Sequence, residues 1–431
     1  MHDSHSQNEK QRFPGYQGIW YALGQKSEYG DKYSGGLGTY TANHVPVAVY
    51  AEQVNRTYFV YGGTSPQGSG ALSIMVSYYD HQSGQCPAPV EVYRDETVND
   101  PHDNASLQID RHGFIWIFKS GRGQRRPGLI FRSKMAWEIA VFDLKHSLEM
   151  TYPQVWYSAD HGFFVLFTKY TAGRELYWMS SEDGEKWTEG GKLAGMGGHY
   201  QVSGQGKDRF GTFFNYHPGG KVDQRTNLYY LETFDRGRTW QTAGGQVCPL
   251  PLKEIHNEAL VFPYEEEGRL MYTCDLNFDA SGNPILLYIT STFALPGPEG
   301  GAREWTIAHW KNNQWTRHVV TQSTHNYDMG SLYVDEEVWT IIGPTKPGPQ
   351  YFGTGGEIVI WRSRDEGRTW DMYKELTCDS VRNHSYARRP LNARDPFYVF
   401  WADGNSDELS ASCLYYSDSE GRQVVTLPYW I

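Results

Sequence analysis

Residues 99–110 read NDPHDNASLQID, a histidine followed by Asp103 and Asn104 and set just ahead of an alternating apolar and polar run. Alternation of that kind is the signature of a half-buried strand. Related phrases recur: ANHVPVAVYA from 42, GGHYQVSGQG from 197, EIHNEALVFPY from 254, STHNYDMGSLYV from 323 and RNHSYARRPLNA from 382. A seventh, MTYPQVWYS from 150, carries tyrosine where the others carry histidine.

Read as one repeat, the marked positions are His44, His102, Tyr152, His199, His256, His325 and His384, spaced about 57 residues apart. Four short strands and their connections consume roughly 45 to 60 residues. The unit from Tyr152 shows this directly, with YPQVWYS, GFFVLFTKY at 162 and ELYWMSSEDG at 175. Sequential four-stranded sheets close most simply into a ring, which leaves only short protected edges. The expectation is an all-β, seven-bladed β-propeller of four-stranded antiparallel blades. It forms one domain over 16–431, behind a disordered segment 1–15.

A second repeat points the same way. TFDRGRTW at 233–240 and SRDEGRTW at 363–370 share the pattern S/T-x-D-x-G-x-T-W, and SSEDGEKW at 180–187 is a degraded copy. This is the Asp-box hairpin: the carboxylate ties down backbone donors, glycine takes the positive-φ position and tryptophan packs between strands. Asp235, Asp365, Trp240 and Trp370 are therefore structural residues.

Composition agrees with short strands and many turns. The 431 residues include 15% aromatics and 46 glycines, and the nearest approach to a helix is KMAWEIAVFDLKH at 134, which could equally be a loop. A formal charge of −11 argues against a nucleic-acid partner, so any acidic ligand must be met by a local cluster of cations. No apolar run reaches the length of a membrane span. Five cysteines lack the spacing of a zinc site or a disulfide framework. The start of the chain suits a secreted or periplasmic protein whose signal peptide has been removed.

In a propeller, residues just before each inner strand rim one mouth of the central channel. Six histidines and a tyrosine would converge there, joined by loop arginines Arg174 and Arg225, with Arg122, Arg125 and Arg126 from the preceding blade. Neutral imidazole can gain or lose a proton near pH 7, and guanidinium binds carboxylate or sulfate. The alternative is that each histidine merely hydrogen-bonds a neighbouring blade. His44, His199, Tyr216, His256, His325 and His384 are the expected substrate-binding positions.

The stretches PHDNASLQIDRHGFIWIFKSGRG, GFFVLFTKYTAGRELYWMSSEDG, DQRTNLYYLETFDRGRTW and HNYDMGSLYVDEEVWTIIGPT resemble the BNR-repeat propellers that act on uronic-acid polysaccharides. That group holds ulvan lyases, L-rhamnose-α-1,4-D-glucuronate lyases and relatives described as α-L-rhamnosidases. The likeness runs from Tyr16 over nearly the whole chain. Sialidases share the Asp-box, but their arginine triad and early Arg-Ile-Pro phrase are not found here.

The resemblance implies β-elimination on an acidic saccharide containing rhamnose and uronic acid, of arabinogalactan or ulvan type. It implies His102 as base, Tyr152 as acid or its partner, and Arg174 and Arg225 on the carboxylate. A second catalytic histidine about twenty residues upstream matches His81, although strand counting places His81 on the opposite face. His44 matches the site proposed for the rhamnosidases, so hydrolysis of the same linkage is a rival, and a non-catalytic glycan-binding propeller is another. No cofactor is required. Relatives often hold a structural calcium ion, but no DxDxDG loop marks one, and the protein is expected to act as a monomer.

Overall fold

The computed structural model describes residues 12–39, 43–65 and 70–431. Strands dominate, and the only helical elements among these residues are four three-residue 3₁₀ turns. The run 134–146 forms no α-helix: it is a loop leading into the strand Phe142–Leu148.

Six sheets are four-stranded antiparallel blades with strands in chain order, spanning 105–148, 151–194, 201–262, 270–323, 331–375 and 383–426. The expected seven four-stranded blades are thus corrected to six. The first sheet is different: it has seven strands. In it Ala48–Ala51, Arg56–Gly63, Ser73–Asp80 and Val90–Arg94 are joined by Gly18–Ala22, Ser34–Gly35 and Ser410–Ser412. Gly18 pairs with both Gly63 and Ser412, so strands from near the two ends of the chain meet in one sheet and tie the ring shut. A repeat count cannot see such a sheet, because its extra strands are recruited from outside the repeat.

The count also slipped at His256. The phrase EIHNEALVFPY supplies the short outer strand Leu260–Phe262, paired with Thr226–Thr233, and the next inner strand begins only at Leu270. Apolar residues after a histidine suit an outer strand as well as an inner one.

Of the segment 1–15, residues 1–11 lie outside the described residues. From Arg12 the chain is placed: Phe13 is buried and its N–H donates to Pro89 O at 3.1 Å.

The Asp-boxes sit where the third strands end. Asp235 Oδ1 accepts from Thr239 N at 2.9 Å and Oδ2 from Thr239 Oγ1 at 2.7 Å, and Asp365 repeats both contacts with Thr369 at the same distances. Gly237 and Gly367 take φ of 86° and 82°, which residues with a Cβ avoid. Trp240 is buried with its ring 5.4 Å from that of Trp178. All five cysteines are free thiols. No helix of the described residues is long and apolar enough to cross a membrane.

Candidate functional site

The inner strands from His44, His102, Tyr152 and His199 begin at one mouth of the ring. Tyr152 occupies the left-handed region at φ 54°, where the pairing register shifts between Thr151 and Gln154. A bulge re-aims the side chain it carries. Here the Tyr152 N–H donates to Ser120 Oγ at 2.9 Å, and its ring lies 5.5 Å from His44, 5.7 Å from His102 and 5.7 Å from Tyr200.

His102 stands in a 3₁₀ turn, Pro101–Asp103, capped by Asp100, which accepts the His102 N–H at 3.0 Å. The same carboxylate oxygen contacts the ring Nδ1. Holding the proton on Nδ1 makes Nε2 the basic nitrogen. Burial lowers the His102 pKa to about 4, against the opposing pull of Asp100, so the ring is neutral at pH 7. Burial works to raise the Asp100 carboxyl, but hydrogen bonds from His102 and Arg126 outweigh it and hold the group ionised. Arg126 bridges Asp100 and Asp103 at 2.7 Å each, and Lys119 closes on Asp103 at 2.6 Å.

Arg225 is buried in a cage of tyrosines, with its guanidinium carbon 4.3 Å from the ring centre of Tyr200, 4.9 Å from Tyr327 and 5.3 Å from Tyr272. Its Nε donates to Val222 O at 2.8 Å. Aromatic faces stabilise such a cation without neutralising it. Arg174 lies farther out, 5.4 Å from the Tyr170 ring, which Arg122 flanks at 5.9 Å. Arg126 is committed to the two aspartates.

The remaining histidines behave as local ties. His199 Nδ1 donates to Asn215 O at 2.8 Å, while Nε2 accepts from Met196 N at 3.2 Å. His384 Nδ1 accepts from Trp401 Nε1 at 3.0 Å and Nε2 bonds Ser380 Oγ at 3.0 Å. His325 is buried and its Nδ1 accepts from Tyr327 N at 3.2 Å. His44 uses Nε2 on His102 O at 3.2 Å and Nδ1 on Thr39 Oγ1 at 3.0 Å. His256 is exposed on an outer loop, and Tyr216 packs in the core with Phe214 and Tyr229. His81 lies at the opposite mouth, with Nε2 on Thr57 Oγ1 at 2.8 Å and Nδ1 on Asp395 O at 3.1 Å.

Tyrosines therefore line the mouth where histidines were expected. Tyr200, Tyr327 and Tyr386 follow His199, His325 and His384 by one or two residues. At Tyr386, with φ 62° beside a register shift in the strand Asn383–Arg388, a bulge re-aims the side chain. His217 was missed in the same way: it follows Tyr216 and faces the mouth. It is fully buried with its ring 5.0 Å from Tyr200, and neither ring nitrogen has a hydrogen-bond partner among the described residues. Burial first, then Arg225, His199 and Arg174, keep it neutral. The His-Pro pair that closes the strand FGTFFNY was the available signal.

The segment 23–39 crosses this mouth as a strap. Lys32 and Tyr33 both bond Asp223 in the third blade, Asp31 N donates to Asp407 in the sixth at 3.1 Å, and Tyr33 meets Tyr327 at 5.3 Å. At this mouth His44, His102, Tyr152, Tyr200 and Arg225 are each at most 4% exposed. Among the described residues no group of three or more His, Cys, Asp or Glu is placed to hold a metal ion.

The profile of the BNR repeat-containing family matches residues 65–323. Among solved structures, a PL25 ulvan lyase aligns with TM-score 0.75 at 17% identity over 96% of this chain and 97% of its own. The structure of a PL25 ulvan lyase bound to -[GlcA(1-4)Rha3S]- aligns with TM-score 0.75 at 16% identity over the same shares. The polysaccharide lyase Uly1 aligns with TM-score 0.62 at 12% identity, over 93% of this chain and 97% of its own. No match is found among curated proteins. Likeness at these identities speaks for the fold, whereas the profile covers more than half of the sequence: the chain belongs to the BNR repeat-containing family.

Proposed function

We propose that this protein is a polysaccharide lyase that cleaves L-rhamnose-α-1,4-D-glucuronate linkages by β-elimination, leaving a 4,5-unsaturated uronate. The observation that carries the reading is the position of Tyr152, whose ring touches those of His44, His102 and Tyr200 within 5.7 Å while Asp100 fixes the His102 tautomer. An imidazole base and a phenol acid thus lie within the width of one sugar ring.

The chemistry needs three groups. The C5 proton of a uronate is very weakly acidic until the adjacent carboxylate is offset, and a buried cation does this for about 3 to 4 kcal/mol. Arg225 supplies that charge, with Arg174 at the rim. His102 Nε2 takes the C5 proton, the C4–O bond breaks as the C4–C5 double bond forms, and Tyr152 protonates the departing oxygen. A positioned acid or base contributes roughly 10²- to 10⁴-fold.

Support against hydrolysis comes from the carboxylates. A glycoside hydrolase ordinarily presents two across the scissile bond. Here Asp100 and Asp103 are bound by Arg126, with Lys119 also on Asp103. Both nitrogens of His44 are engaged, which favours a supporting role over proton transfer. The lyase relatives, one bound to a glucuronate-rhamnose saccharide, share the fold.

The test is incubation with gum arabic side chains and with ulvan, following free rhamnose and the ultraviolet absorbance of the unsaturated uronate. New absorbance that is lost in His102→Ala supports the lyase. Rhamnose without absorbance indicates hydrolysis, and affinity with neither product indicates a lectin.

A further inference from the structure

The opposite mouth of the propeller carries a cavity of about 550 Å³ at the C-terminal ends of the inner strands. Its wall includes Tyr50, Gln108, Arg111, Trp137, Tyr157 and Lys207, contributed by the seven-stranded sheet and the first three blades. It is open and polar where the strapped mouth is closed.

Two features mark it as built for a ligand. Trp137 is held at φ 62°, a region that costs a bulky residue roughly 1 to 3 kcal/mol and persists only when its surroundings impose it. Its N–H donates to Gly113 O at 2.7 Å and its carbonyl accepts Tyr58 OH at 2.8 Å. Gly113 is obligatory beneath it, because a Cβ there would lie 2.2 Å from the indole. Trp137 lines the cavity together with Tyr50 and Tyr157. Pyranose rings pack their C–H faces on such aromatic surfaces.

The second feature is charge. The protein carries −11 overall, yet this wall holds Arg111 and Lys207, and Lys207 makes no ion pair among the described residues. The acid in the wall, Asp110, is already saturated, accepting His112 N at 2.9 Å, Phe114 N at 3.0 Å and Trp116 Nε1 at 2.8 Å. Cations left over in an acidic protein select an anion.

We propose that this second mouth is an independent binding site for an anionic saccharide, stacked on Trp137, Tyr50 and Tyr157 and paired through its carboxylate or sulfate with Arg111 and Lys207. The site does no chemistry of its own. It holds polymer on the face away from His102, and it stands whether or not the strapped mouth is catalytic.

The experiment is fluorine NMR of 5-fluorotryptophan-labelled protein, with the Trp137 resonance assigned by Trp137→Phe. Gum arabic oligosaccharides are expected to shift that resonance saturably, at least tenfold less tightly in Lys207→Glu and unchanged in His102→Ala. Carboxyl-reduced gum arabic oligosaccharides should fail to shift it, and carboxyl-reduced but still sulfated ulvan oligosaccharides separate sulfate from carboxylate as the anion bound. A resonance that stays put, that moves equally with the neutral sugar, or that responds identically in Lys207→Glu overturns the site. A protein that shifts Trp137 but releases no unsaturated uronate refutes the lyase reading and leaves this one standing. Lys207 is exposed, so its variant tests the site without disturbing the fold.

Discussion

Asp100 grips His102 twice, through the backbone N–H at 3.0 Å and through the ring Nδ1, from only two residues away. One carboxylate therefore caps the turn that presents the ring and selects its tautomer. Position and chemistry are set by the same contact.

Replacing Asp100 with Asn should leave the fold intact, since the amide oxygen can still cap the turn, but frees the ring to take the other tautomer. We expect kcat to fall by about 10²-fold with KM nearly unchanged, in line with the worth of a positioned base. Steady-state kinetics on gum arabic oligosaccharides separates the two. A rise in KM alone would place Asp100 in substrate binding instead.

Burial holds His102 at about 4, below its ordinary value of 6.5. The base is competent when neutral, so activity should persist through pH 5 to 6 and decline only as pH approaches about 4. An acid limb near 6.5 would mean that the ring is solvated in the working enzyme.

Stability should follow a related course. His44 and His325 are lowered to about 3 and His102 and His199 to about 4, in each case by burial first. The unfolded chain binds protons at these rings below pH 6.5 while the folded one does not. The stabilisation is complete above 6.5 and is lost as pH falls toward 3 to 4, by about 1.4 kcal/mol per pH unit for each ring. Denaturant titrations between pH 7 and 4 measure the slope.

Arg225→Lys keeps the charge but loses the planar face that three tyrosines enclose. Turnover should drop by 10-fold or more, and Arg225→Ala should cost about 3 to 4 kcal/mol in kcat/KM. If both variants turn over at the native rate, the carboxylate is met elsewhere, with Arg174 the next position to change.

Asp223→Ala removes the acceptor shared by Lys32 and Tyr33 and should loosen the strap. Hydrogen exchange of residues 26–33 is expected to rise, and KM for polymer to fall as access improves. Unchanged exchange would show that the Asp31 contact to Asp407 suffices to hold the strap.

Much of this molecule was written in local pattern. The Asp-box phrases at 233 and 363 dictate a hairpin within eight residues, and the alternating run after His102 dictates a strand, so class and ring architecture could be read directly. The run 134–146 shows the limit of such reading, because its one distinctive residue, Trp137, is placed by Gly113 and Tyr58 from elsewhere in the chain.

What the sequence by itself determined is the propeller of Asp-box blades, because strand period and turn chemistry act between near neighbours. Which side chains face the channel was decided only in three dimensions. A bulge of one residue exchanges a histidine for a tyrosine, a seven-stranded sheet takes strands from both ends of the chain, and a strap from the first sheet covers the mouth by bonding Asp223. Those choices depend on contacts between residues up to several hundred positions apart, and no periodicity along the chain encodes them.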